Sequence, residues 1–287
     1  MKNIKVFLFF ILLTGLTLSC DQKEKIAEAG ENNAIETEET LSSEEGEDHP
    51  NQVAFMQYPN AKKIMEIDER VDPSRVVKSL RWEKQTKDHG SEFIQVSAFL
   101  NEDGFPMKIT EQFIDGNFRP QGERNYYLED QKLIAFIELA DVWIDSNITN
   151  YIEKRTLYND DMPVITQTRK AQDYTQIEFE NWKNIATEHH SLEKVNKILN
   201  GSGEFQTHFI SVIKADNLFI LLGENKPQNQ ERYTTALRID EMTPFIEDLL
   251  NNLDKYKFRP VDIEFTVVGG SNEAEYRVLT DIAWKNK

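Results

Sequence analysis

Glu92-Phe-Ile-Gln-Val-Ser-Ala-Phe-Leu100, Asn101-Glu-Asp-Gly104 and Met107-Lys-Ile-Thr-Glu-Gln-Phe113 decide the fold of this chain. Two runs in which apolar and polar residues alternate are joined by a turn that ends in Asp103-Gly104. Alternation is the period of a strand, and Asp-Gly between two such runs is the strongest short-range sign of a hairpin. The unit returns as Arg124-Asn-Tyr-Tyr-Leu128, a polar turn at Glu129 to Lys132, and Leu133-Ile-Ala-Phe-Ile137. It returns again as Arg155-Thr-Leu-Tyr158, a turn at Asn159 to Met162, and Pro163-Val-Ile-Thr-Gln-Thr168. The three turns are 28–30 residues apart, so the middle of the chain predicts a meander of some six antiparallel strands. Each strand should bury one face and wet the other.

Upstream of the meander, Ala61 to Val71 carries Ile64, Ile67 and Val71 at helical spacing, and Pro73 stops a helix there. Val76 to Trp82 reads as a strand with Val76, Leu80 and Trp82 on one side. Downstream, Ser191 is placed to cap a short helix bearing Leu192, Val195, Ile198 and Leu199, with Gly201 past its end. That helix should mark a domain boundary. Strands follow at Phe205 to Ile213, Leu218 to Leu222 and Tyr233 to Ile239. Thr243-Pro244 opens a helix with proline at its first position, where a missing N–H costs nothing, and its apolar stripe is Phe245, Ile246, Leu249, Leu250 and Leu253. Val261 to Val268 and Tyr276 to Trp284 close the chain as strands. The expected fold class is mainly β with few helices: an antiparallel β-meander domain over 53–187, then a small OB-like barrel or sandwich with one helix over 188–287.

The first 52 residues are of another kind. Lys2 and Lys5 precede an apolar run of 13 residues, Val6 to Leu18. As a helix that run spans roughly 20 Å, short of the ~30 Å of a bilayer core, so it reads as a targeting segment. Leu16-Thr17-Leu18-Ser19-Cys20 resembles the lipobox of bacterial lipoproteins, although Thr17 stands where Leu is usual. The resemblance implies signal cleavage between Ser19 and Cys20, and a diacylglycerol on the Cys20 thiol. Two or three acyl chains, at roughly 0.8 kcal/mol per buried methylene, would hold the protein to a membrane almost permanently.

Cys20 is the only cysteine, which leaves no disulfide, CxxC redox pair or thiolate metal site for the folded part. Asp21 to Pro50 holds eleven carboxylates against Lys23 and Lys25, and no aromatic residue. Such a stretch buries too little apolar area to offset its ordering entropy, and 20–52 is expected to be a lipidated, disordered tether. The whole chain carries a formal charge of −17. A surface so acidic repels nucleic acid, which is discarded as a partner.

The Asn101-to-Met107 turn and the Arg124-Asn-Tyr-Tyr-Leu128 strand resemble uncharacterised β-rich envelope lipoproteins of the Bacteroidota. The last third, with five strands and a helix before the fourth, is similar to the OB-like barrels of NlpE-type copper-resistance lipoproteins. Their CxxC is absent here, so no metal chemistry carries over. Nor does an OB-like fold by itself imply nucleic-acid binding.

Among residues that could carry chemistry, His189-His190 and the distant His208 lack HExxH or HxH spacing, so no metal site and no cofactor is expected. Asp141 and Asp145 flank Val-Trp-Ile in what reads as a hairpin connection, and Asp160-Asp161 occupy a turn, where Asp is common. There is no GxSxG elbow, P-loop or dinucleotide fingerprint, so no catalytic residue is named. Trp143 is the one large aromatic outside clear strand alternation, and is the candidate for a ligand or partner contact. The expected function is a non-enzymatic binding or scaffold lipoprotein of the cell envelope. The outer membrane is preferred to the inner, with the membrane through Cys20 and an envelope protein as partners. The alternative is a lipid-anchored hydrolase with a carboxylate site that no motif reveals.

Overall fold

In the computed structural model the described residues are 55–87, 90–116, 120–145, 148–227, 230–270 and 273–285. The side chains of 143–148, 270 and 273 lie outside this description, as do Ser19, Cys20 and the tether. Among the described residues the chain is mainly β, with fourteen strands in one mixed sheet.

The meander is formed by β3 (Ser91–Leu100), β4 (Pro106–Asp115), β5 (Gln121–Glu129), β6 (Lys132–Asp145), β7 (Ile148–Asn159) and β8 (Met162–Ala171), each antiparallel to the next. Turn chemistry sets these registers. Asp130 and Gln131 at one tip, and Asp160 and Asp161 at another, all have φ between 48° and 65°. Two consecutive left-handed residues make the two-residue hairpin whose twist matches that of its strands. A short edge strand, β9 (Lys183–Ile185), continues the meander beside β8.

The strand expected over Val76 to Trp82 is broken in two, β1 (Val76–Lys78) and β2 (Trp82–Gln85), both paired with β3. Ser79 makes the break: its N–H donates to Val96 O at 2.8 Å and its Oγ accepts from Val96 N at 2.9 Å. The chain resumes in register with Trp82 fully buried.

Helix α1 (Pro59–Arg70) lies on one face of the sheet and buries Ala61, Ile64 and Ile67 against Tyr127, Ala135, Leu157 and Ile165. Burying each large side chain of this kind contributes about 1.5–3 kcal/mol. Phe55 joins the same core, and the Arg155 guanidinium lies between its ring, at 3.6 Å, and that of Trp182, at 3.8 Å.

The opposite face carries the larger core. Helix α2 (Glu193–Leu199) presses Val195 and Ile198 onto it. The helix begins one residue later than expected, with Leu192 at the cap position, and Ser191 Oγ accepts from Glu193 N at 3.1 Å.

Beyond α2 come β10 (His208–Lys214), β11 (Leu218–Gly223), β12 (Thr234–Ile239), helices α3 (Pro244–Asn251) and α4 (Leu253–Tyr256), then β13 (Val261–Gly270) and β14 (Glu273–Trp284). Thr243 Oγ1 caps α3 by accepting from Ile246 N at 3.3 Å, with Pro244 in the first turn as expected. β10, β11 and β12 run antiparallel, β12 meets β14 in parallel, and β14 pairs with β13. The lead into β13 bonds back to β10, where Phe209 N donates to Arg259 O and Val261 N to Thr207 O. β10, β11, β12, β14 and β13 thus lie side by side, and an isolated bridge from His208 to Pro260 joins the ends of the row. Both parts of the chain share the sheet through Thr234 and Glu83, and share the larger core, where Trp82 meets Phe205 edge-on at 5.7 Å.

Candidate functional site

The α1 face of the sheet is left open over β3, β4 and β5. The polar members of the alternation stand there in register: Ser97 opposite Thr110 opposite Asn125, and Gln95 opposite Gln112 opposite Glu123. These side chains floor a groove of about 690 Å³. The end of α1 forms one wall, where Asp68 accepts from Lys108 Nζ at 2.8 Å and from the Tyr127 hydroxyl at 3.1 Å. Burial, then the Asp68 charge, push the Tyr127 hydroxyl well above the usual phenol range, so it stays a donor. The other wall comes from Lys78 and Glu275, an ion pair between β1 and β14.

On the floor, Thr110 Oγ1 donates to Asn125 Oδ1 at 2.7 Å, and Asn125 Nδ2 to Glu123 Oε1 at 2.7 Å. Gln95, Ser97 and Gln112 make no side-chain hydrogen bond among the described residues, although Gln95 is only 8% exposed. The groove thus offers neutral donors and acceptors, with the Glu123 carboxylate among them, between two ion pairs.

The other face carries a charge ladder. Glu111, Arg124, Glu138 and Lys154 are successive cross-strand partners on β4 to β7. Arg124 donates to Glu111 at 3.1 Å, to Glu138 at 2.6 Å and to Asp115 at 3.4 Å. Burial opposes its charge, but these carboxylates prevail and raise its pKa. Glu111, 1% exposed, also accepts from the Tyr126 hydroxyl at 2.8 Å. Every carboxylate of this cluster is engaged by a cation, an arrangement that braces the sheet.

The two adjacent histidines sit in the linker ahead of α2 and differ in their surroundings. His189 is exposed, but the His190 ring stacks on Phe136 at 3.7 Å and the His190 backbone N–H donates to the Tyr158 hydroxyl at 2.7 Å. Burial pushes the His190 imidazole down to about 4. His208 lies apart on β10, its Nδ1 3.3 Å from Gln206 O. Among the described residues no three His, Cys, Asp or Glu side chains stand together as a metal site requires. Asp141 is within β6, not in a connection, and accepts from Gln121 Nε2 at 2.8 Å. Trp143 also belongs to β6, opposite Thr149 on β7; its side chain lies outside the description.

The chain matches no family model, no curated protein and no solved structure. No described helix is long and apolar enough to cross a membrane, which says nothing of β-barrels. The groove residues were missed as a site by sequence reading. Alternation indicated that Ser97, Thr110 and Gln112 face outward, but not that α1 and β14 wall them in.

Proposed function

We propose that this chain is a lipid-anchored protein of the bacterial envelope, preferably the outer membrane, that acts by binding a polar ligand or envelope partner. The lipobox-like run ending at Cys20 supports the anchor, and the acidic stretch behind it supports reach. The observation that carries the binding reading is the groove floor, where Gln95, Ser97 and Gln112 present unused hydrogen-bonding groups between two fixed ion pairs. Such preformed hollows with a few convergent polar groups are the usual form of a binding site.

A photoreactive side chain placed at Ser97 in the full chain should give a discrete crosslinked adduct in intact envelopes. The same group at Asp216, exposed in the β10–β11 turn, should not. Equal labelling at both positions, or none at either, would refute the groove as the binding surface.

A further inference from the structure

Arg277 on β14 is 4% exposed, and no carboxylate lies within ion-pair distance of it among the described residues. Its Nε and Nη2 both donate to one carbonyl, Ser79 O, at 3.2 and 3.1 Å. Its Nη1 has no partner among the described residues. A buried cation served by a single carbonyl is costly, and natural proteins rarely leave one uncompensated.

Arg277 lines a cavity of about 200 Å³ between β12, β14 and the start of β2, on the far side of Glu275 from the polar groove. The other charges around this cavity are matched. Arg81 holds Glu83 at 3.0 Å, and Lys78 holds Glu275. Glu275 favours the Arg277 charge and Arg81 opposes it, but Arg277 has no ion-pair partner of its own among the described residues. Phe219, Leu221 and Ala236 supply an apolar wall. The volume has room for roughly six or seven water-sized groups.

We propose that this cavity binds a small monocarboxylate with an apolar body, its carboxylate on the Arg277 guanidinium and its body against Phe219 and Leu221. A carboxylate fits better than a phosphate, because one planar guanidinium without an ion-pair partner of its own suits one planar monoanion. The site lies beside the polar groove, with Glu275 lining both. Ligand binding would also complete the coordination of the residue that ties β14 to the break at Ser79.

The test is a titration of the full chain in detergent with benzoate, and with benzamide as the neutral isostere, followed by NMR and thermal melting. Benzoate should bind saturably and raise the melting temperature, with benzamide weaker by about tenfold or more for want of the charge-assisted bonds. Arg277→Gln should abolish the difference between the two probes, and Arg277→Lys should restore it in part. Should Arg277→Gln not fold, Phe219→Ala must weaken benzoate in its place. Absence of saturable benzoate binding, equal binding of the two probes, or indifference to Phe219→Ala would each overturn the assignment.

Discussion

The imidazole of His190 lies flat on the ring of Phe136, 3.7 Å away at 14°, which makes the linker between the meander and α2 part of the packed core. Glu188 and Lys154 face the same ring, the first favouring its charged form and the second opposing it, but burial dominates. The folded imidazole therefore takes up its proton only near pH 4, whereas the unfolded chain does so near 6.5. Between those values the unfolded state binds more protons, so stability is fully present above about pH 6.5 and falls as pH drops toward 4. Melting temperature measured across that window should fall more steeply for the native chain than for His190→Gln. Parallel curves would contradict the burial of this ring.

Glu111 and Arg124 form the most deeply buried ion pair of the ladder. Glu111→Ala leaves the guanidinium beside Glu138 and Asp115 but empties a buried acceptor of Tyr126. Equilibrium denaturation should show a loss of about 3 kcal/mol. Replacing both residues, Glu111→Leu with Arg124→Met, should cost less than the sum of the single changes, because no buried charge is left unpaired.

Asp160 and Asp161 both sit at positive φ, 48° and 64°, in the β7–β8 turn. Asn-Gly is better suited to both positions. The double change Asp160→Asn with Asp161→Gly should stabilise the fold by about 0.5–1 kcal/mol. Asp161→Val should destabilise it, since a β-branched side chain resists that conformation. Thermal melts of the two variants that shift in the same direction would show the turn to be of another type.

Cys20→Ala should abolish incorporation of labelled palmitate and release the protein from the membrane fraction, while the circular dichroism of the β-rich part is unchanged. Equal labelling of the variant would remove the basis for the anchored reading.

The parts of the fold legible in the sequence are those that local chemistry controls. Asp103-Gly104, Asp130-Gln131 and Asp160-Asp161 announce hairpins because a turn of a few residues sets the register of twenty. Thr243-Pro244 announces a helix start for the same reason. The break at Ser79 was not legible, since its cause is Val96 on a neighbouring strand and Arg277 from the end of the chain. His190 likewise reads as wet in a polar loop until Phe136 is seen beneath it. The groove lies between these cases: its floor follows from alternation in β3 and β4, but its walls come from α1 and β14, and no local pattern links them.

The stacking of Arg155 between Phe55 and Trp182 has a mechanical consequence. Arg155 is at the middle of β7, backbone-paired with Ile137 on one side and Gln167 on the other. A pull arriving along the chain ahead of Phe55 therefore enters the sheet at an interior strand. Hydrogen bonds to both neighbours resist it together, so the force is spread across the meander instead of peeling an edge strand open one bond at a time.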